Sequence, residues 1–184
     1  MKDTSPVYIQ ENPVSRFLFS NTRSAVIWLI IRLYVGYTWV KAGWAKLNNE
    51  AWTGEDAGAA LSGFVNGALA KSQEGADVAG WYATFLESTV LPNAKLFSYV
   101  VAIGELLVGL GLVFGLLTGI AAFFGALMNV SFLFAGTLST NPLLFILATW
   151  LVLAWKVAGW YGLDRWALPL LGTPWNRKKN SAPK

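Results

Sequence analysis

Apolar residues fill four windows of the chain, 24–43, 98–117, 119–138 and 142–161, and polar residues crowd the stretches between and beyond them. A helix needs about 20 predominantly apolar residues to cross the hydrocarbon core of a bilayer, so each window predicts one membrane-spanning helix. The longest interruption, from Asn48 to Pro92, has a pattern of its own. Leu61, Phe64, Val65 and Ala68 recur at helical spacing, and so do Val78, Trp81, Tyr82 and Phe85. Two short amphipathic helices at the outer mouth of the bundle account for both runs, either as a packed cap or as a lid over a site that opens outward. The predicted architecture is all-α and integral to the membrane. It is a four-transmembrane-helix bundle over 24–161, with an extracytoplasmic segment over 48–92, an arm over 1–23 and a basic tail over 162–184.

Composition supports a lipid solvent. Of the 184 residues, 55% are hydrophobic and 13% charged, against about 25% charged in soluble domains. The polar first 23 residues lack the apolar core of a cleavable signal, so the first window is expected to act as its own insertion signal. Eight of the fourteen basic residues flank the bundle in the arm (Lys2, Arg16, Arg23) and the tail (Arg165, Arg177, Lys178, Lys179, Lys184). By the positive-inside rule both termini are expected in the cytoplasm, in a multi-pass protein of the cell membrane. The net charge of +4 then calls for a surface of anionic lipid rather than nucleic acid. Trp28, Trp44, Trp160 and Trp166 fall near predicted helix ends, where indole favours the interface. Residues from Trp175 onward read as a disordered tail.

Cysteine and histidine are both absent. The chain therefore offers no disulfide, thiol nucleophile, thiolate metal site or histidine-ligated haem or zinc. Any redox chemistry has to be carried by a bound molecule or a partner.

The candidate chemistry lies inside the windows. Arg32 and Glu105, counted from opposite ends of their helices, both fall in the middle third of the membrane and are expected to be able to pair. Charges at that depth normally face the bundle interior with a partner, as a structural ion pair or as part of a functional site. Asn129 and Trp150 reach similar depth, so each helix offers one polar-capable side chain. Gly36, Trp39 and Gly43 share a stripe with Arg32, and Gly111, Gly115 and Gly119 are spaced by four, as in close helix packing in lipid. Lys41 and Lys46 follow the first window outward. They read as snorkelling interface anchors or, together with Lys95 and two helix amino termini, as an anion site. Lys156 reads as a snorkelling residue near the cytoplasmic end of the fourth window.

Taken together, Arg32-Leu33 with Gly36, then Ala42-Gly43-Trp44 with Lys46-Leu47, Gly104-Glu105-Leu106 with Gly109 and Gly111, and Asn129 with Gly136 resemble the DoxX family of small four-helix membrane proteins over roughly residues 24–160. The DoxD-like branch of that family includes the membrane subunit of thiosulfate:quinone oxidoreductase. The resemblance implies a subunit of a quinone-linked redox system that oxidises thiosulfate to tetrathionate, with quinone as diffusible electron acceptor. A second redox subunit and a further copy of the chain are the protein partners expected. In that reading Glu105 and Arg32 are the catalytic candidates, with Glu105 relaying protons. Trp39, Tyr34, Asn129 and Trp150 are candidates for binding quinone, and Lys41, Lys46 and Lys95 for binding the anion. The alternatives are a non-catalytic scaffold that recruits a redox partner and, behind it, a small transporter, for which no inverted repeat or broken helix is apparent.

Overall fold

A computed structural model describes residues 11–75 and 77–172, and all regular structure among them is helical. Lys2, Arg177, Lys178, Lys179, Lys184 and the expected disordered tail lie outside the described residues. Helix α1 (Pro13–Ser20) starts where the Asn12 side chain accepts a hydrogen bond from Val14 N at 2.9 Å, with proline in the first turn. It leads into α2 (Ala25–Leu47) and then the short α3 (Glu50–Thr53). Helix α4 (Ala59–Gln73) follows, and α5 (Gly80–Phe85) continues through a π turn and a 3-10 turn at Pro92 into α6 (Ala94–Phe114). The chain then forms α7 (Thr118–Phe134), α8 (Asn141–Leu153), α9 (Trp155–Ala158) and α10 (Asp164–Leu170).

Two helical stretches, Thr22–Leu47 and Gly80–Phe114, are long and apolar enough to cross a membrane, and α7 and α8 are shorter apolar helices of 17 and 13 residues. The second of the long stretches absorbs the run around Tyr82. That run was expected to be a separate surface helix, but its apolar side continues the face of α6. Proline at position 92 interrupts only the local hydrogen-bond ladder, because its missing N–H falls in the 3-10 turn.

The bundle is organised by α2 lying antiparallel against α6. Gly36 meets Val113, Gly109 meets Val40, and Gly43 meets Leu106, so backbone approaches backbone at three heights. A Cβ at Gly109 or Gly43 would collide with main-chain atoms of the other helix. Trp28, Val35, Trp39, Val108 and Leu112 fill this interface together with Leu144 and Leu151 from α8. Trp28 was expected at the interface with water. It is instead buried, because its indole N–H donates to Leu18 O at 2.8 Å and so joins α1 to α2. Trp44 and Trp166 are exposed, and Arg165 stands 5.5 Å over the Trp160 ring.

Gly111, Gly115 and Gly119 do not form a single packing stripe. Gly111 faces Ala121, Gly119 faces Trp155, and Gly115 lies outside the helix with φ +65°. Its left-handed conformation closes α6, with Leu116 N donating to Gly111 O at 2.9 Å. Leu117 is also left-handed, a strained state for a side chain with a Cβ, at φ 48°.

Arg32 and Asp164 hold this turn in place. Arg32 donates to the carbonyls of Leu112 (2.6 Å) and Val113 (3.1 Å) in the last turn of α6, and to Tyr161 O (3.1 Å). Asp164 accepts from Leu117 N (2.5 Å) and Thr118 N (3.0 Å) at the start of α7. A cation thus sits at a helix carboxy terminus and an anion at a helix amino terminus, each opposite the partial charge that attracts it.

At the other end, α3, α4 and α5 pack as a cap that lies like a lid on the bundle. Leu61, Val65, Tyr82, Leu86 and Val90 pack into a second core. Ser98 donates to Trp52 O at 2.5 Å and Tyr99 to Thr53 O at 2.6 Å, tying α3 to α6. Tyr82 OH donates to Ser131 O (2.9 Å) and Lys71 to Gly136 O (2.8 Å), tying the lid to α7.

Two outcomes are expected from this arrangement. Gly109→Ala overpacks the α2–α6 contact and should lose about 1–3 kcal/mol in thermal unfolding of the detergent-solubilised protein; an unchanged melting curve contradicts the close contact. Arg32→Lys keeps the charge but lacks the planar fork that spans three carbonyls. Hydrogen exchange at Gly115–Leu117 should rise in that variant, and wild-type protection would show that the clamp does not depend on the guanidinium.

Candidate functional site

Beneath the lid, α2, α3, α6 and the start of α8 enclose a cavity of about 290 Å³ whose lining includes Trp39, Lys46, Trp52, Glu105, Phe132 and Asn141. Lys46 Nζ lies 2.7 Å from Glu105 Oε2, the one ion pair among the described residues. The Glu105 side chain is 2% exposed and that of Lys46 20%, so the carboxylate is the buried member and the ammonium faces the cavity mouth. The same ammonium stands 4.9 Å from the centre of the Trp52 ring, whose face favours a cation. Trp39 is nearly fully buried in the cavity wall, and its indole N–H has no protein acceptor. Buried polar groups are normally hydrogen-bonded, but this donor is buried against Gly125 of α7 without an acceptor.

The pairing expected from depth does not form. Arg32 and Glu105 belong to opposite ends of the bundle, because the glycine contacts fix the register of α2 on α6. Glu105 falls opposite the turn of α2 between Gly43 and Lys46, which leaves Arg32 about 18 Å away along the axis at 1.5 Å per residue. Depth counted from the edge of an apolar window misses this, since the helix that carries Glu105 begins well before residue 98.

The other candidates separate as well. Asn129 is fully buried, and neither its amide nitrogen nor its oxygen has a partner. The contacts of Gly104 with Met128 and of Gly125 with Val108 put Asn129 at about the height of Glu105. Gly125 also lies beside Trp39 Nε1, one turn from Asn129 on α7. Tyr34 and Trp150, by contrast, are 47% and 52% exposed and face away from the bundle interior. Lys41 and Lys95 are exposed and do not join Lys46, whose charge is already matched by Glu105, so the anion site expected from three lysines is not assembled. Lys156 is exposed near the end of α9.

Sequence reasoning passed over two residues that matter. Asp164 next to Arg165 looks like part of a solvated charge pair, yet it is fully buried; its signal is the Gly159 and Gly162 spacing that lets the chain fold back over it. Trp52 lies outside every apolar window, and only the fold of α3 brings its ring over Lys46.

Comparison with known proteins adds the family. No curated protein and no solved structure matches the chain. Residues 27–138 match the family model described as DoxX, a span that takes in α2, the lid, α6 and α7. It covers more than half of the chain and contains Lys46, Trp52, Glu105 and Asn129, so this membrane protein belongs to the DoxX family.

Proposed function

We propose that the chain is the quinone-binding membrane subunit of a redox system, with the Lys46–Glu105 cavity as its site. The observation that carries this reading is a buried carboxylate paired to a lysine in a cavity wall, with the unpartnered Trp39 N–H and Asn129 amide buried behind that wall. A quinone headgroup is uncharged and planar, and it accepts hydrogen bonds at its carbonyl oxygens. Lys46 supplies a donor for one carbonyl. Reduction to quinol takes up two electrons and two protons: one proton passes from Lys46 through Glu105 to the reacting oxygen, and water at the lid end supplies the second to the other oxygen and re-protonates Lys46. The electrons come from a donor oxidised on a second subunit. For thiosulfate, two dianions join through a new S–S bond and release two electrons. The lid carries Glu50, Glu55, Asp56, Glu74, Asp77 and Glu87 against Lys71, a field that repels dianions from this mouth. Donor oxidation is therefore assigned to the partner rather than to this cavity.

The same proposal includes four membrane crossings. Helix α7 spans about 26 Å and the α8–α9 run about 27 Å at 1.5 Å per residue, close to a hydrocarbon core of about 30 Å. Arg16, Arg23, Lys156 and Arg165 gather at the end shared by α1 and α10, while the acidic lid lies at the other. The positive-inside rule puts the former in the cytoplasm.

The test is quinone reduction by the full chain in nanodiscs with its partner subunit. Glu105→Gln, with folding confirmed, should lower turnover by about 10²-fold, as expected for loss of a positioned general acid. Full turnover in that variant removes Glu105 from the reaction. Absence of quinone binding by the wild type shifts the reading to a scaffold for a redox partner. Stability offers a separate check: Lys46→Met strands a buried carboxylate, and adding Glu105→Gln should recover part of the loss, a coupling of about 0.5–3 kcal/mol.

A further inference from the structure

A cavity larger than the polar one lies on the side of the bundle. A furrow of about 700 Å³ runs between α6 and α7 from Val100 to Leu117, lined by Leu107, Phe114, Ile120 and Phe124 and flanked by Gly104 and Gly111. It exists because α6 packs closely on α2 and α7 on α8, while α6 and α7 touch each other less. A second, smaller cavity of about 170 Å³ lies under the lid. It shares Met128 with the furrow, and it shares Leu61, Phe64 and Phe132 with the cavity that holds Lys46 and Glu105. The three spaces form a series from the outer face of the bundle to the ion pair. Two barriers interrupt it: the Met128 side chain, and Leu61 with the Phe64 and Phe132 rings, the rings edge to face with centroids 6.1 Å apart.

We infer that this series is a lateral access route for a lipophilic quinone, with the α6–α7 furrow as the berth of its hydrocarbon tail. The inference rests on the quinone reading of the Lys46–Glu105 cavity. The mouth beside Lys46 opens at the polar, acidic end of the bundle, which a hydrocarbon tail held in lipid does not reach, and the lid around it is fastened at Ser98–Trp52, Tyr82–Ser131 and Lys71–Gly136. Approach from the side meets a thioether, Leu61 and two aromatic rings, side chains that move by rotamer changes. An ordinary phospholipid could place an acyl chain in the furrow, but its ionic headgroup cannot follow through the apolar middle space, where desolvating a charge is prohibitive. An uncharged quinone ring can. The tail gains little by leaving lipid for an equally apolar furrow. The furrow instead lets the head enter the bundle while the tail stays in hydrocarbon.

Gly104 is the place to test this, because a Cβ there meets only Met128 Sδ, at 3.6 Å, and the helix contacts stay intact. The probes are decylubiquinone and its tailless parent, 2,3-dimethoxy-5-methyl-1,4-benzoquinone, bound to the full chain in phosphatidylcholine nanodiscs and followed by quenching of tryptophan emission. Gly104→Leu should weaken the tailed probe by about ten-fold and leave the tailless one unchanged. Leu107→Phe, at a furrow position 63% exposed and so neutral for folding, should act in the same direction. Equal affinity of wild type and both variants for the tailed probe overturns the route while the quinone site stands. Equal weakening of both probes also overturns it, since the furrow would then not be selective for the tail. Failure of the wild type to bind either probe overturns the quinone reading and the route together.

Discussion

The close antiparallel contact of α2 with α6 is the constraint from which the rest follows. Gly36, Gly43 and Gly109 remove side chains where the two backbones meet, and this fixes which residue of one helix stands beside which of the other. With that register set, Lys46 arrives at Glu105 and Arg32 at the end of α6. A slip of one turn would leave a carboxylate, an ammonium and a guanidinium buried without partners, at a cost no glycine contact could offset. Packing and charge therefore select the same register.

The two ends of the bundle use the same electrostatics for different purposes. At one end, Arg32 and Asp164 match the partial charges of helix termini and are closed in by Gly115, Gly159 and Gly162. All that room is filled, and the strained Leu117 is held in place. At the other end, Lys46 and Glu105 match each other beside a cavity, with an unpartnered indole N–H and a buried, unpartnered asparagine close by. Arg32 Nε and Thr118 Oγ1 are left without partners at the first end, so the knot there is closed by packing and by its carbonyl and amide contacts, with no space for a ligand. An incompletely satisfied polar wall beside open space is what a ligand site requires.

The family match takes in Trp39, Lys46, Trp52 and Glu105 of the open site but not Asn141 and Leu144, which line it from α8. It stops at residue 138, before α8, α9 and α10 supply Asp164 and complete the closed knot. Membership in the DoxX family agrees with a membrane protein built of apolar helices. The assignment of quinone as ligand rests on the chemistry of the cavity and remains the proposal argued above.

The sequence by itself determined the medium, the helical class and most element positions, because hydropathy over 20 residues and helical periodicity are local properties of the chain. It also marked Glu105, Arg32, Lys46, Trp39 and Asn129 as worth explaining, since a polar group in an apolar run always needs a partner. Which partner it finds was decided only by the tertiary structure. Arg32 and Glu105 look matched in depth when counted from window edges, but glycine contacts many residues away set the register, and Lys46 lies opposite Glu105 instead. Tyr34 and Trp150 are on the wrong face, which periodicity in a uniformly apolar helix cannot reveal, and the register also leaves Tyr34 nearer the Arg32 end than Glu105. Asp164 and Trp52 lie outside the apolar windows, and only the folding back of α10 and α3 gives them their roles. Partnership between distant residues is a property of helix packing, and one chain read alone carries no direct record of it.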